Sequence, residues 1–372
     1  MVALPGSPAA SRQAVEFPPA RAAARVLPRR EFLRPGVTVL VPAFNEAQTV
    51  ADTIHSLRRQ TVPAAEILVI DDASTDGTGE VARACGVDVI RPPRNTGSKA
   101  GAQNFAMSRV GTEFTMAIDA DTVLADDAIE RILGGLRDPG VAAACGFVVP
   151  RHVRTLWERG RYIEYLFAFT FYKPIQDYFH RPLISSGCFS IYRSKALFET
   201  GGWSTRTMAE DMDLTWTLYE RGYGVRFVAE AVSYPIEPHS LTFMSRQLRR
   251  WGHGFIQNVV LHRRFILSEP FLRSVVGVAL WDAVVASVAY LCLLPLLAAL
   301  VSPVFLLAYA IDLPAVMVPV LIASWRRREV ARALASVPGF LALRWVNCLF
   351  ILEAVVSELL LKRRLTVYEK GH

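Results

Sequence analysis

The sequence predicts an α/β fold, a doubly wound parallel sheet followed by membrane helices. Three observations carry this. Short β-prone runs alternate with helical periodicity from Val37 to Leu136. Polar clusters follow the runs that end at Phe44, Ile70 and Ile118, and sheets of this kind bind ligands at the carboxyl ends of their strands. Charged and apolar residues are interleaved up to about residue 270, whereas Phe271 to Leu361 is mostly apolar.

Residues 1–35 carry Arg12, Arg21, Arg25, Arg29, Arg30 and Arg34 and lack an apolar core of signal-peptide length, which predicts a disordered or membrane-surface basic arm. A catalytic domain is expected over 36–240. Val37 to Phe44 reads as a buried strand, and Asn45 as the N-cap of a helix with Val50, Ile54 and Leu57 at helical spacing. Glu66 to Ile70 is a second strand, ending in Asp71-Asp72-Ala73-Ser74-Thr75-Asp76-Gly77. Thr78 to Ala84 reads as a helix, Val87 to Ile90 as a strand, Ser98 to Val110 as a helix and Phe114 to Ile118 as the central strand. Asp126-Asp127 opens a helix through Leu136, with negative charge at the favourable end of the macrodipole.

Arg154 to Tyr172 is crowded with aromatic residues and suits either core or a helix at the membrane interface. Ile184 to Tyr192 reads as a strand containing the tight Ser185-Ser186-Gly187, Ala209 to Arg221 as a helix and Val225 to Val228 as a strand. An amphipathic interface segment follows over 241–270, helical from Phe243 to Phe265. A membrane region over 271–362 contains two segments long enough to span a bilayer, 275–301 and 303–325. A third, 338–361, carries Arg344, Glu353 and Glu358 and is expected to be re-entrant, interfacial or packed against other helices. Two spans leave Arg326–Arg328 and the basic tail over 363–372 both cytosolic, as the positive-inside rule prefers.

The net charge of +7 is concentrated in the arm and in the clusters beside the apolar runs, which points to membrane lipids as a partner. No nucleic-acid motif accompanies it. Five scattered cysteines argue against a disulfide framework or zinc site and for a reducing compartment.

The chemistry is expected around Phe114 to Thr122, where an apolar run ends in Asp119-Ala120-Asp121. Side chains at i and i+2 of an extended segment point the same way, so two carboxylates can converge across a small residue. A hard divalent cation with a phosphate beyond it would relieve their repulsion; an acidic turn is the alternative. Asn95-Thr96-Gly97-Ser98-Lys99 is a small-residue loop entering a helix, where backbone and Lys99 suit a diphosphate or a base, unless it is an ordinary helix start.

Five features in order resemble the membrane-integrated branch of the family 2 glycosyltransferases, which includes hyaluronan, chitin, cellulose and poly-N-acetylglucosamine synthases and ceramide glucosyltransferase. They are Val41-Pro42-Ala43-Phe44-Asn45-Glu46, Asp71-Asp72-Ala73-Ser74-Thr75-Asp76, Asp119-Ala120-Asp121, Glu210-Asp211 and Gln247-x-x-Arg250-Trp251. The resemblance implies a GT-A (Rossmann-like) fold, a UDP-sugar donor, Mg²⁺ or Mn²⁺, and inversion at the anomeric carbon. It implies that uracil and ribose lie on Pro42, Ala43, Asn45 and Glu46 and on Asp71 and Asp72. Asp121, with or without Asp119, would hold the metal; Asp119 alternatively holds the nucleotide or ribose. Asp211, beside Glu210 at a helix N-terminus, is the implied base. That position lowers its basicity, so burial or the charge of Glu210 must oppose it. Arg250 suits the diphosphate and Trp251 the acceptor sugar, with Gln247 beside them. Ser186 and Gly187 are expected to line the acceptor cleft.

The implied function is transfer of a hexose or N-acetylhexosamine to a saccharide acceptor, with a β bond formed at the cytosolic face of the plasma (inner) membrane by a multi-pass protein, and polysaccharide synthesis is the process the resemblance suggests. Single-sugar transfer to a lipid acceptor and a non-catalytic nucleotide-sugar-binding scaffold are the alternatives. Two or three spans are too few to enclose a polysaccharide channel. A polymer-extruding enzyme would therefore need a homo-oligomer or a partner subunit.

Overall fold

The computed structural model describes residues 34–366; the expected arm up to Leu33 and the tail from Val367 lie outside the described residues. The strands are β1 (Arg34–Ala43), β2 (Glu66–Asp71), β3 (Asp88–Ile90), β4 (Thr112–Ile118), β5 (Val123–Leu124), β6 (Val141–Val148), β7 (Phe189–Arg193) and β8 (Gly224–Tyr234). The catalytic-domain helices are α1 (Val50–Arg58), α2 (Thr78–Ala84), α3 (Lys99–Ala106), α4 (Ala128–Leu133), α5 (Leu156–Phe167), α6 (Lys173–Tyr178), α7 (Ser194–Thr200) and α8 (Glu210–Glu220). After them come α9 (Leu241–Leu261), α10 (Arg263–Ser268), α11 (Pro270–Trp281), α12 (Leu294–Leu300), α13 (Leu313–Arg326) and α14 (Val330–Val355).

The strands form one sheet in the order β3-β2-β1-β4-β7-β6-β8-β5. β1 to β4 are parallel, as expected of a doubly wound sheet. The sheet as a whole is mixed, which corrects the expectation of a purely parallel one: β7 runs antiparallel to both β4 and β6. The cause is the excursion through α5 and α6. It ends at the carboxyl edge of the sheet, so the chain re-enters in the opposite sense, and Phe189 at the start of β7 pairs with Ile118 at the end of β4. The loop before β7 is thereby brought beside the Asp119-Ala120-Asp121 turn.

Alternate residues feed two faces. Val39 and Val41 pack with Ile54, Leu57 and Ile129 on one side. Leu40, Leu68 and Ile70 pack with Trp203 and Trp216 on the other. Full burial of each such aliphatic side chain contributes about 1.5–3 kcal/mol. Two local expectations differ from the fold. The helix after β1 starts at Val50, and Asn45 instead takes a left-handed φ of 55°. The segment 184–192 is strand only from Phe189.

Among the described residues three helices are long and apolar enough to cross a membrane: Pro270–Leu300, Pro303–Arg326 and Val330–Leu360. The third continues through Pro338 and turns its charges toward protein. Glu353 accepts from Arg249 on α9 at 3.0 Å, and Glu358 lies 2.7 Å from His253 and accepts from Gln257 at 2.7 Å. Arg344 pairs with Asp312. Near its start, α14 crosses α5 at Gly160, where a Cβ would stand 2.5 Å from the Gly339 carbonyl oxygen, so only glycine permits this approach.

Candidate active site

The site lies at the carboxyl edge of β1, β2 and β4 and is closed by β7, α8 and α9. Pro42 and Ala43 end β1, and the turn after them is stapled to the loop after β2. The Asn45 backbone N–H donates to Ser74 Oγ at 3.0 Å, the Thr75 N–H to Asn45 Oδ1 at 2.9 Å, and the Glu46 N–H to Thr78 Oγ1 at 2.7 Å. Glu46 is buried, and one of its oxygens accepts from Thr49 at 2.6 Å. The left-handed Asn45 makes this turn possible, and asparagine tolerates that region better than most residues.

Asp71 and Asp72 are both buried. Asp71 accepts from Arg91 at 2.5 Å and from the Ser74 N–H at 3.0 Å, which fixes the loop. Asp72 accepts from the N–H and hydroxyl of Thr96, both at 2.9 Å. Burial raises the Asp72 carboxyl above its ordinary range, with Thr96 opposing. A carboxylate has about four lone-pair sites, so Asp72 keeps acceptor capacity for a base N–H.

Ser98 caps α3 by accepting from the Gly101 N–H at 3.1 Å, which places Lys99 in the first turn. Lys99 forms an ion pair with Asp119 and donates to the Gly187 carbonyl at 2.8 Å. The Gly187 N–H in turn donates to Asp211 Oδ2 at 2.8 Å. Asp119, Lys99, Gly187 and Asp211 therefore form one continuous chain across the site. A side chain at Gly187 would intrude: its Cβ would lie 2.9 Å from Asp211 Oδ2 and 3.2 Å from Lys99 Nζ. Ser186 precedes it, and its carbonyl accepts from Ser190 at 2.6 Å.

Asp119 and Asp121 supply hard oxygen donors, the chemistry that Mg²⁺ and Mn²⁺ prefer. Among the described residues no group of three or more His, Cys, Asp or Glu side chains forms a metal site. The pair thus fits a cation whose remaining ligands come from a diphosphate. Lys99 forms an ion pair with Asp119.

Glu210 and Asp211 open α8. Burial and then the charge of Asp211 push the Glu210 carboxyl up, while Lys99 and Arg250 pull it down. α9 grips the approach to α8: Asn258 donates to the Ala209 carbonyl at 3.1 Å, and Gln257 accepts from the Met208 N–H at 2.9 Å. One turn into α8, buried Asp213 receives Arg206 at 2.6 and 2.7 Å and lies 2.9 Å from His262 Nε2. Gln247, Arg250 and Trp251 lie on α9, and Trp251 is 37% exposed.

The structure thus joins Lys99, Asp119, Gly187 and Asp211 directly and brings Glu210 and Arg250 into their field, while Asp71 works mainly within its own loop. Sequence reasoning missed Arg161, whose guanidinium lies 4.5 Å from the Trp251 ring. Its only signal was a charged residue inside an aromatic run.

Residues 38–200 match the family described as glycosyl transferase family 2. Poly-beta-1,6-N-acetyl-D-glucosamine synthase of Staphylococcus aureus is 25% identical over 255 residues, covering 68% of this chain and 61% of the relative. The synthase of the same name from Staphylococcus epidermidis is 28% identical over 224 residues, covering 59% and 54%. The chain thus spans about three fifths of the length of the curated relatives it matches. The mannosyltransferase PcManGT from Pyrobaculum calidifontis, solved in complex with GDP-Man and Mn²⁺, is similar with a TM-score of 0.56 at 20% identity, over 85% of this chain and 87% of that one. The mixed sheet, the order of its site residues and the family match agree: residues 38–200 match a family 2 glycosyltransferase domain, the fold is GT-A, and among the described residues three apolar helices that could span a membrane follow.

Proposed function

We propose that the protein is an inverting glycosyltransferase that moves a hexose or N-acetylhexosamine from a UDP-sugar to a saccharide acceptor and forms a β bond at the cytosolic face of the membrane. The single observation that carries this reading is the chain Asp119–Lys99–Gly187–Asp211, which ties the donor side of the site to the carboxylate of the acceptor side. Asp72, the 42–46 turn and the loop at Gly97 hold the nucleotide. Asp121, with Asp119, would hold Mg²⁺ or Mn²⁺, which when bound would offset charge on the leaving diphosphate. Arg250 adds a fixed positive charge on the same side. Asp211 takes the proton of the acceptor hydroxyl as that oxygen attacks the anomeric carbon in line. The bond from the anomeric carbon to the phosphate oxygen breaks, UDP leaves with its electron pair, and the configuration inverts. Trp251 offers the acceptor sugar a flat apolar face.

The names of the curated relatives put UDP-N-acetylglucosamine first among donors to try. The test is release of free nucleotide by membranes carrying the full chain, scanned over UDP-N-acetylglucosamine, UDP-glucose, UDP-glucuronate and GDP-mannose with added Mg²⁺ or Mn²⁺. The expected result is release from one UDP-sugar, with label retained in a hydrolase-sensitive saccharide. Label in a chloroform-soluble product would replace the saccharide acceptor by a lipid. No release from any donor, or release unchanged in Asp211→Asn, would leave a nucleotide-sugar-binding scaffold.

A further inference from the structure

Arg161 on α5 has no solvent-exposed side-chain surface. One guanidinium nitrogen donates to Glu164 at 2.5 Å. Another donates to Gln247 Oε1 at 2.5 Å and approaches Met244 Sδ at 3.1 Å. Its Nε faces Glu237 Oε2 at 3.4 Å without hydrogen-bond geometry, and both of those buried atoms lack a hydrogen-bond partner. The guanidinium carbon lies 4.5 Å from the centroid of Trp251 and 5.5 Å from that of Tyr165. Tyr165 donates to the other oxygen of Glu237 at 2.9 Å.

Burying a guanidinium costs several kcal/mol unless its charge and donors are met, and cores seldom keep such a group for stability alone. What Arg161 touches explains its presence. Gln247 and Trp251 are four residues apart on α9, so they lie on one face of that helix. A single planar fork reaches both: it hydrogen-bonds the amide and stacks on the indole. Trp251 remains 37% exposed as a residue, so it is held from within while still presenting area to a ligand. Glu164 and Glu237 balance the charge, so the cation adds rigidity with little net field.

We propose that Arg161 is the positioning residue of the acceptor subsite, locking Gln247 and Trp251 into one preorganised platform. This rests on the reading of Trp251 as the acceptor's contact. The donor residues Asp72, Lys99 and Asp119 have other partners, so the effect of Arg161 falls on the acceptor.

The test uses the full chain in lipid nanodiscs, with UDP-N-acetylglucosamine as donor and a β-linked N-acetylglucosamine pentamer as acceptor probe. Arg161→Met should raise the KM for the pentamer about ten-fold or more. Donor Kd and acceptor-independent UDP release should stay within about two-fold of wild type. Arg161→Lys keeps the charge but not the fork, and should fail to restore the KM. Gln247→Leu breaks the same contact from the other side while keeping the guanidinium and its carboxylates Glu164 and Glu237, and should raise the pentamer KM in the same direction. Adding Arg161→Met to Gln247→Leu should cost far less than it does alone. Full rescue by lysine, or an equal loss of donor binding, would reduce Arg161 to a structural charge and overturn the proposal. A raised pentamer KM in Trp251→Ala with an unchanged one in Arg161→Met would overturn the role of Arg161 alone. An unchanged KM in Trp251→Ala would remove the acceptor reading and this proposal with it.

Discussion

Gly187→Ala isolates the placement of Asp211 without changing any ionisable group. The backbone at Gly187 does not need a left-handed conformation, so alanine introduces no φ strain there. Its new Cβ would lie 2.9 Å from Asp211 Oδ2, whereas an ordinary contact begins near 3.4 Å. The carboxylate must therefore retreat by about 0.5 Å, or the loop before β7 must move by as much. Misplacement of a reacting group by about 1 Å costs on the order of 100-fold in rate, so half of that predicts roughly a 10-fold fall in kcat, about 1.4 kcal/mol. Lys99 Nζ, 3.2 Å from the same Cβ, has a flexible stem and can adjust. Donor affinity should therefore change by less than about two-fold. The assay is continuous detection of released UDP at saturating donor, with donor Kd by calorimetry on the same sample. Wild-type kcat in Gly187→Ala would refute the placement of Asp211 as base, and equal loss of kcat and donor affinity would refute the separation of the two halves of the site.

Asp121→Asn should abolish turnover and weaken metal-dependent donor binding, whereas Asp211→Asn should lower turnover by about 100-fold or more while sparing donor binding; calorimetry with and without Mn²⁺ separates them. Burial pulls the His262 pKa down, but the carboxylates of Asp213 and Glu220 outweigh it and hold it above 6.5. Its contribution to stability is then complete below that value and lost as pH rises through the raised folded value. The Tm advantage of wild type over His262→Gln should therefore be a few degrees near pH 6 and shrink by pH 9, as read by thermal unfolding in detergent. Burial lifts Glu237 from 4.5 to about 7, against Arg161 and Tyr165. The folded state holds that proton more tightly, so up to about 3 kcal/mol of stability is lost as pH rises from 4.5 through 7. Glu237→Gln should flatten the Tm profile across that window.

The first four strands were legible because each apolar run ends in a polar cluster at a strand's carboxyl end, as at Ala43, Asp71 and Ile118. β6 was not. Val141–Val148 is rich in alanine, weak in β-propensity, and earns its place by burial of all eight residues between β7 and β8. The reversal of β7 was also hidden, because strand direction follows from where the preceding excursion ends. In the site, Asp119, Asp211 and Lys99 could be picked from local chemistry. The link between them through Gly187 could not, since it joins residues 88 apart in one bond and 24 in the next. Asn45 reads as a cap because its side chain favours helix starts, and the same short amide serves equally well in a left-handed turn.

The crossing of Gly339 on Gly160, and the pairing of Glu353 and Glu358 with α9, make the third apolar helix and the candidate site parts of one folding unit. A piece of the chain ending before Val330 would uncover Met244 and Leu248, which pack on Leu343, and would strip His253 of its two carboxylates. The helix that carries Gln247, Arg250 and Trp251 would lose its outer wall. The same coupling runs in the other direction: were α14 to span a bilayer, a change in bilayer thickness that tilts it would load α9 directly. In a bilayer-spanning arrangement, lipid thickness would thus act mechanically on the helix that carries Gln247, Arg250 and Trp251.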